Sequence, residues 1–263
     1  MIVRYESDGT IVMITQNDHA QLSGLFATHW GNAQFARPEP YMPMVRAAMF
    51  HDRGWIRYET GPQLNAEGKT PNYREVPNDA GQIEAFEWAG DWLSSIDAYA
   101  GLMIAKHRTG LYQGRYGTMT SPPAIQRGTL KPEIQALITR SEAKQKSAAE
   151  KFDAKQLVTN YTLLQAWDLI SLYICSAETF KPDRIAPVPI DYAGAPTEMT
   201  LTPTGANTIE LDPYPFDQPS LTANLIFRRL TQTKFKDEAE LQAVYFGTAP
   251  QIASFHLVPG PVR

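Results

Sequence analysis

An isolated carboxylate is the first residue of this sequence that could do chemistry. Asp168 is the only charged residue between Lys155 and Glu178, and it lies on an apolar helical stripe. An ionised carboxylate in the interior costs on the order of several kcal/mol unless it is paired or binds a metal ion. Taken alone, Asp168 could equally be a capping or salt-bridging aspartate that faces a neighbouring loop.

Four histidines share this setting, since each lies on or beside an apolar helical stripe: His19, His29, His51 and His107. A single histidine of this kind is usually a hydrogen-bonded core residue. Four of them in one predicted helical region, together with a buried aspartate, favour a metal site instead. Imidazole and carboxylate ligands suit a divalent transition metal (Mn, Fe, Co, Zn or Ni) better than calcium, and open positions on such a metal can activate water.

His51 and Asp52 are adjacent and end a predicted helix just before Gly54. Neighbouring residues of a helix point about 100° apart. Both side chains can therefore reach one ion only where the helix frays or turns, and a glycine after the pair predicts such an end.

The run FHDRGW at residues 50–55 resembles the signature of the HD-domain superfamily of metal-dependent phosphohydrolases. Members of that superfamily are helical bundles whose ligands run His, His-Asp, Asp along the chain. The resemblance implies that His19, His51, Asp52 and Asp168 bind the metal, with His29 as the alternative to His19. It also implies catalytic roles for Asp52 and Asp168 in orienting the attacking water.

His107 lies between the His-Asp pair and Asp168, where two-metal members of the superfamily usually carry two further histidines. The resemblance implies a catalytic role for His107 and leaves open whether one or two ions bind. His107 and the flanking Lys106 and Arg108 are candidates for contact with a substrate phosphate. The alternative for Lys106 and Arg108 is an ordinary solvated cation on a helix.

Three longer runs carry a second resemblance: QNDHAQLSG at residues 16–24, AAMFHDRGW at 47–55 and LLQAWDLISLYI at 163–174. Together they are similar to a bacterial family of uncharacterised function that is associated with the same bundle. The later run PYPF, at residues 213–216, fits this resemblance. It implies no substrate.

Periodicity places these residues on helices. Apolar stripes predict helices at about 16–31, 43–52, 80–95, 97–113, 131–151 and 154–178. The last should lie in the core, because it is apolar almost all round. Short β-rich runs are predicted at 199–202, 208–211, 221–230, 243–246 and 252–258. Two long irregular segments, 53–79 and 114–130, could wall a pocket over the metal.

The predicted fold class is α+β, and three regions are expected. Residues 1–15 form a β-hairpin around Asp8-Gly9. Residues 16–180 form a mainly helical HD-like bundle. Residues 181–263 form a β-rich C-terminal segment, which could pack with the hairpin.

Composition excludes several classes of protein. The chain has 263 residues and a net charge of −4, so it carries no basic field for nucleic acid. Its one cysteine, Cys175, rules out a disulfide framework and a CxxC metal site within the chain. No run of 18 apolar residues and no signal-peptide core is present, which predicts no membrane association and a cytoplasmic location. P-loop, GxGxxG, HExxH and GxSxG motifs are absent.

The expected function is metal-dependent hydrolysis of a phosphate ester on a small phosphorylated molecule, for example a nucleotide. Two alternatives stay open. The chain could be a non-catalytic regulatory module that binds a metal or another ligand, or an HD-like metal-dependent oxygenase. The sequence predicts neither the metal nor the oligomeric state.

Overall fold

The computed structural model describes residues 1–76, 80–119 and 130–261. The helices are α1 (Gln16–His29), α2 (Tyr41–Phe50), α3 (Trp55–Tyr58), α4 (Ala80–Ile96), α5 (Ala98–Gln113), α6 (Pro132–Ala149), α7 (Ala154–Cys175) and α8 (Glu238–Gly247). None of the helices within these ranges combines the length and the apolar character needed to cross a bilayer. Of the two segments predicted to wall a pocket, residues 77–79 and 120–129 lie outside the described residues.

The strands are β1 (Ile2–Tyr5), β2 (Ile11–Ile14), β3 (Asp183–Val188), β4 (Thr197–Pro203), β5 (Thr208–Asp212), β6 (Leu221–Leu230) and β7 (Gln251–Pro259). They form one seven-stranded sheet in the order β1-β2-β6-β7-β5-β4-β3. Neighbours are antiparallel except β5 and β7, which are parallel. β6 joins the N-terminal hairpin to the C-terminal strands, because Leu230 lies opposite Ile11 while Leu221 lies opposite Leu257.

The prediction of a mainly helical HD-like bundle is wrong. The large mixed sheet overturns it, since the hairpin and the C-terminal strands are parts of one structure rather than attachments to a bundle. Helix α1 packs against β6 and α7 packs against β3, so the helices and the sheet share one core. Apolar periodicity reports which face of a segment is buried, but it does not identify the distant strand with which that segment pairs.

The strand predicted at residues 243–246 is also wrong, because these residues belong to α8. A short apolar run fits a buried strand and a buried helix turn equally well. The deciding signal is Asp237, whose side chain accepts a hydrogen bond from the backbone N–H of Glu240 and caps the helix. Strand β3 was not predicted.

Helix α7 lies in the core along most of its length, as predicted. Its Trp167 packs edge to face on Trp30, with ring centroids 5.9 Å apart, and Trp30 makes the same kind of contact with Phe216 of the PYPF run. These aromatic contacts tie the end of α1, the middle of α7 and the β5–β6 connection together.

Helices α1 and α2 approach closely at Gly24. A Cβ atom at this position would lie 2.2 Å from Cγ and 3.3 Å from Cα of Met49. Since His19 lies one turn and a half before Gly24 and His51 follows Met49, this contact sets the spacing between the two helices that carry these histidines.

We expect Gly24→Ala to lower the free energy of unfolding by about 1–3 kcal/mol, because Met49 and then one helix must move to admit the methyl group. Urea denaturation measures the change. The matched control is Gly247→Ala at the end of α8, where no atom lies within 4 Å of the added Cβ. Equal stability of the two variants would contradict the close contact.

Candidate metal centre

Five ionisable side chains, from three helices and the turn after α2, meet in the core. They are His19 of α1, His51 and Asp52 after α2, His107 of α5 and Asp168 of α7, and each is at most 6% exposed. The structure thus brings together the four residues predicted as ligands and the histidine predicted as catalytic.

Among His19 Nε2, His51 Nε2 and Asp168 Oδ1, two of the three pairs lie at spacings that suit a shared ion, and the third, His19 Nε2 to Asp168 Oδ1, lies at the hydrogen-bond distance of 2.7 Å. His51 Nε2 is 3.3 Å from His19 Nε2 and 3.3 Å from Asp168 Oδ1. Two donors bound at about 2.1 Å to a tetrahedral ion are about 3.4 Å apart. Asp52 Oδ2 lies slightly farther out, 3.7 Å from His51 Nε2 and 3.9 Å from His19 Nε2. These buried histidine and aspartate groups could hold a metal ion.

Two overlapping groups of donors can be distinguished. His19, His51 and Asp168 form one, and His51, Asp52 and His107 form the other, with the donor atoms of each group within 4.8 Å of one another. His51 belongs to both. Each of the two groups could hold a metal ion.

Each histidine uses Nδ1 for a contact away from the cluster. His51 Nδ1–H donates to the Ala48 carbonyl at 2.8 Å. His19 Nδ1 is 2.8 Å from the Ser171 hydroxyl, which itself donates to the Asp168 carbonyl and so accepts from the imidazole. Such contacts fix the tautomer of a ligating histidine and leave Nε2 free of a proton in the neutral ring.

His107 follows the same pattern through Tyr116. The Tyr116 hydroxyl donates to Asp168 Oδ2 and lies 3.0 Å from His107 Nδ1, so it accepts from that nitrogen. His107 Nε2 is buried without a hydrogen-bond partner within the described part of the chain, and its nearest carboxylate oxygen is Asp52 Oδ1 at 3.7 Å. An unpartnered lone pair that faces a carboxylate at 3.7 Å fits a cation or a water molecule between the two groups.

The charges of the cluster lead to the same conclusion. Among the described residues, the ion-pair partners of Asp52 and Asp168 are histidines, and no lysine or arginine pairs with either. Burial opposes the charge on His51, but the two carboxylates outweigh it and raise the His51 pKa to about 9. Burial opposes ionisation of Asp168 too, yet His51 and His19 hold the Asp168 pKa well below its usual range. The metal-free cluster therefore keeps a proton on His51.

The turn after α2 aims both residues of the pair inward. His51 is still helical, with φ −57° and ψ −30°, and the Trp55 N–H donates to the Asp52 carbonyl at 3.0 Å. Gly54 is helical as well, so it does not end the helix through a special backbone angle. Its role is packing, because a Cβ there would lie 2.4 Å from Cδ1 of Phe86.

Three residues that the sequence suggested as metal ligand or phosphate contacts lie away from the cluster. His29 is partly exposed and pairs with Asp217 at 3.0 Å, so His19 is the first histidine of the cluster. The Lys106 ammonium lies 5.6 Å from the ring centroid of Tyr161. The Arg108 guanidinium stacks 3.5 Å from the Phe86 ring centroid and donates to Gln82 and Tyr112. Side chains next to His107 on a helix point about 100° away from it, which directs both cations away from the cluster.

Two polar residues of the centre escaped the sequence analysis. Ser171 lies three residues after Asp168 on the same face of α7, and its position in an otherwise apolar stretch was a usable signal. Tyr116 lies in a loop segment, where no periodicity marks a buried face. Ser171 contacts His19, and Tyr116 contacts His107 and Asp168.

We expect His51→Ala and Asp52→Ala each to abolish stable metal binding while the chain stays folded, because each variant removes a donor from the cluster. Metal content after desalting and circular dichroism measure the two properties. His29→Ala is the matched control and should keep its metal. Full metal content in both cluster variants would place the site elsewhere.

The proton on His51 predicts a pH-dependent affinity. Below about pH 9 a metal ion competes with this proton. The apparent affinity for the metal ion should therefore rise about tenfold per pH unit from neutrality and level off above the pKa of His51. The metal-free protein should conversely lose the stabilisation of charged His51 as pH rises through the same value. Calorimetric Mn²⁺ titrations in two buffers count the released protons, and an affinity independent of pH would contradict the competition.

Comparison with known proteins adds a family. A family model described as "Protein of unknown function (DUF3891)" matches residues 1–232, a range that contains the whole cluster. Neither the curated proteins nor the solved structures gave a match. Because the matched range covers most of its length, the chain belongs to the DUF3891 family of proteins of unknown function.

Proposed function

We propose that this chain is a metal-dependent hydrolase that cleaves the ester of a small phosphorylated molecule. His19, His51, Asp52 and Asp168 are its metal ligands. The observation that carries the proposal is the convergence of histidine Nε2 atoms and two carboxylates in a buried cluster that contains no lysine or arginine partner among the described residues. Such a cluster is costly unless a cation compensates its charge.

The donor set suits a divalent transition metal, namely Mn, Fe, Co, Zn or Ni, because imidazole nitrogen is a poor ligand for calcium. When bound, such an ion lowers the pKa of a water molecule and neutralises negative charge on a phosphate. Ser171, the Ala48 carbonyl and Tyr116 orient the imidazoles through their Nδ1 atoms. Contacts of this kind raise the basicity of ligating histidines.

His107 is the general base of the proposed reaction. Its Nε2 lone pair has no hydrogen-bond partner within the described residues, and burial lowers its pKa, which keeps the ring neutral near pH 7. A neutral imidazole can take a proton from water. Asp52 Oδ1 lies 3.7 Å from this nitrogen, so one water molecule can contact both groups. Asp52 orients this water, because both oxygens of Asp168 already contact His19 or Tyr116.

The choice of a phosphate ester is supported by the order of the proposed ligands. His19, then His51-Asp52, then Asp168 resembles the ligand order of the HD superfamily of phosphohydrolases. The resemblance concerns the order of the ligands along the chain.

We expect the metal-loaded protein to release phosphate or a nucleoside from at least one member of a panel of nucleotides and phosphomonoesters. Mn²⁺, Co²⁺ or Mg²⁺ is added, and phosphate release is followed colorimetrically. Asp168→Asn should abolish the activity, because the amide keeps the shape but lacks the negative charge that binds the metal. His107→Gln should keep the metal and lower kcat by about 10²–10⁴-fold, the usual contribution of a general base.

His256→Ala is the control for the histidine variants, since His256 lies on β7 and contacts Thr222. It should retain full activity. A metal-loaded wild-type protein that is inactive on the whole panel would contradict hydrolysis and favour a metal-binding module or an oxygenase. Activity that survives Asp168→Asn would make Asp168 a structural carboxylate.

A further inference from the structure

We propose that Tyr116 is a positioning residue that holds Asp168 as a one-oxygen metal ligand and fixes the tautomer of His107. The inference rests on the proposed metal site, and it goes beyond the ligands by assigning a role to a residue of the loop after α5. The Tyr116 hydroxyl contacts both Asp168 and His107.

The two oxygens of Asp168 have different partners. Oδ1 faces the cluster, 2.7 Å from His19 Nε2 and 3.3 Å from His51 Nε2. Oδ2 accepts a hydrogen bond from the Tyr116 hydroxyl at 2.5 Å. A hydrogen bond to Oδ2 occupies one of its lone pairs and withdraws negative charge from it, which weakens Oδ2 as a second ligand atom. The phenol therefore favours binding through Oδ1 alone.

The same hydroxyl links Asp168 to His107. It has one proton, which it donates to the carboxylate, so it can only accept from His107 Nδ1 at 3.0 Å. Nδ1 must then carry the proton of the neutral imidazole, and Nε2 presents its lone pair towards Asp52. Tyr116 thus sets the geometry of one proposed ligand and the protonation of the proposed base.

The backbone directly after Tyr116 is anchored to two elements, α7 and β3. The Gly117 N–H donates to Gln165 Oε1 at 2.6 Å, and Gln165 lies one turn before Asp168 on α7. Thr118 exchanges two backbone hydrogen bonds with Ala186 of β3, at 2.7 and 3.2 Å. These contacts hold the phenol in place without help from the metal, which is the property required of a positioning group.

The test compares Tyr116→Phe with Tyr161→Phe in full-length protein loaded with Co²⁺. Tyr161 is a matched control, because its hydroxyl donates to the Arg115 carbonyl in the same region but not to a cluster residue. We expect Tyr116→Phe to bind Co²⁺ about 10–100-fold more weakly. We also expect its visible d–d absorption to change, because Oδ2 becomes free to enter the coordination sphere. Tyr161→Phe should match the wild type in both respects.

An unchanged Co²⁺ spectrum and affinity in folded Tyr116→Phe would overturn the proposal, because a purely structural tyrosine leaves both unaltered. Histidine ¹⁵N NMR of the zinc-loaded wild type tests it without any variant. A proton on His107 Nδ1 supports it, and a proton on Nε2 overturns it. Because these readouts follow the metal rather than turnover, failure of phosphatase activity alone leaves the role of Tyr116 standing. A wild type that binds no metal overturns both proposals.

Discussion

Two buried carboxylates without a lysine or arginine partner among the described residues are the constraint on which this structure depends. Asp52 and Asp168 are buried in the core, where the histidines of the cluster hold the pKa of both carboxyls below the usual range. Among the described residues their ion-pair partners are histidines, and Tyr116 donates a hydrogen bond to Asp168. Removing such charges from water costs several kcal/mol per ion, on the order of the stability of a whole domain. The fold can contain them only if protons or a metal ion supply positive charge in the same place.

Two kinds of contact hold the cluster residues in place: packing of the helices on the sheet and hydrogen bonds to the imidazoles. Helices α1 and α7 deliver His19 and Asp168, and both helices pack on the large sheet, which fixes their separation. Hydrogen-bonding groups outside the cluster then orient the imidazoles, through Ser171, the Ala48 carbonyl and Tyr116. The sheet is therefore part of the support of the centre, although none of its strands contributes a cluster residue.

The sequence by itself identified the five ionisable residues that form the cluster and predicted most of the helices. Asp168 is conspicuous because it is the only charged residue between Lys155 and Glu178, and the His51-Asp52 pair is conspicuous because it ends a predicted helix just before Gly54. Local periodicity also predicts helix positions well, since each buried stripe must match the helical repeat. An isolated charge in an apolar segment and the helical repeat of apolar residues both depend on residues that are close in sequence. They can therefore be recognised before the fold is known.

Only the tertiary structure decided which distant partners these segments meet. The pairing of β6 with both β2 and β7 merges the two ends of the chain into one sheet, and no local pattern encodes that choice. The choice of His19 over His29 follows from how α1 is rotated in the core, and the rotation of α5 directs Lys106 and Arg108 away from the cluster. Tyr116 enters the centre because its loop is anchored to α7 and β3. The rotation of each helix and the attachment of the Tyr116 loop are set by packing between elements that are distant in sequence. The local pattern of residues therefore does not contain this information.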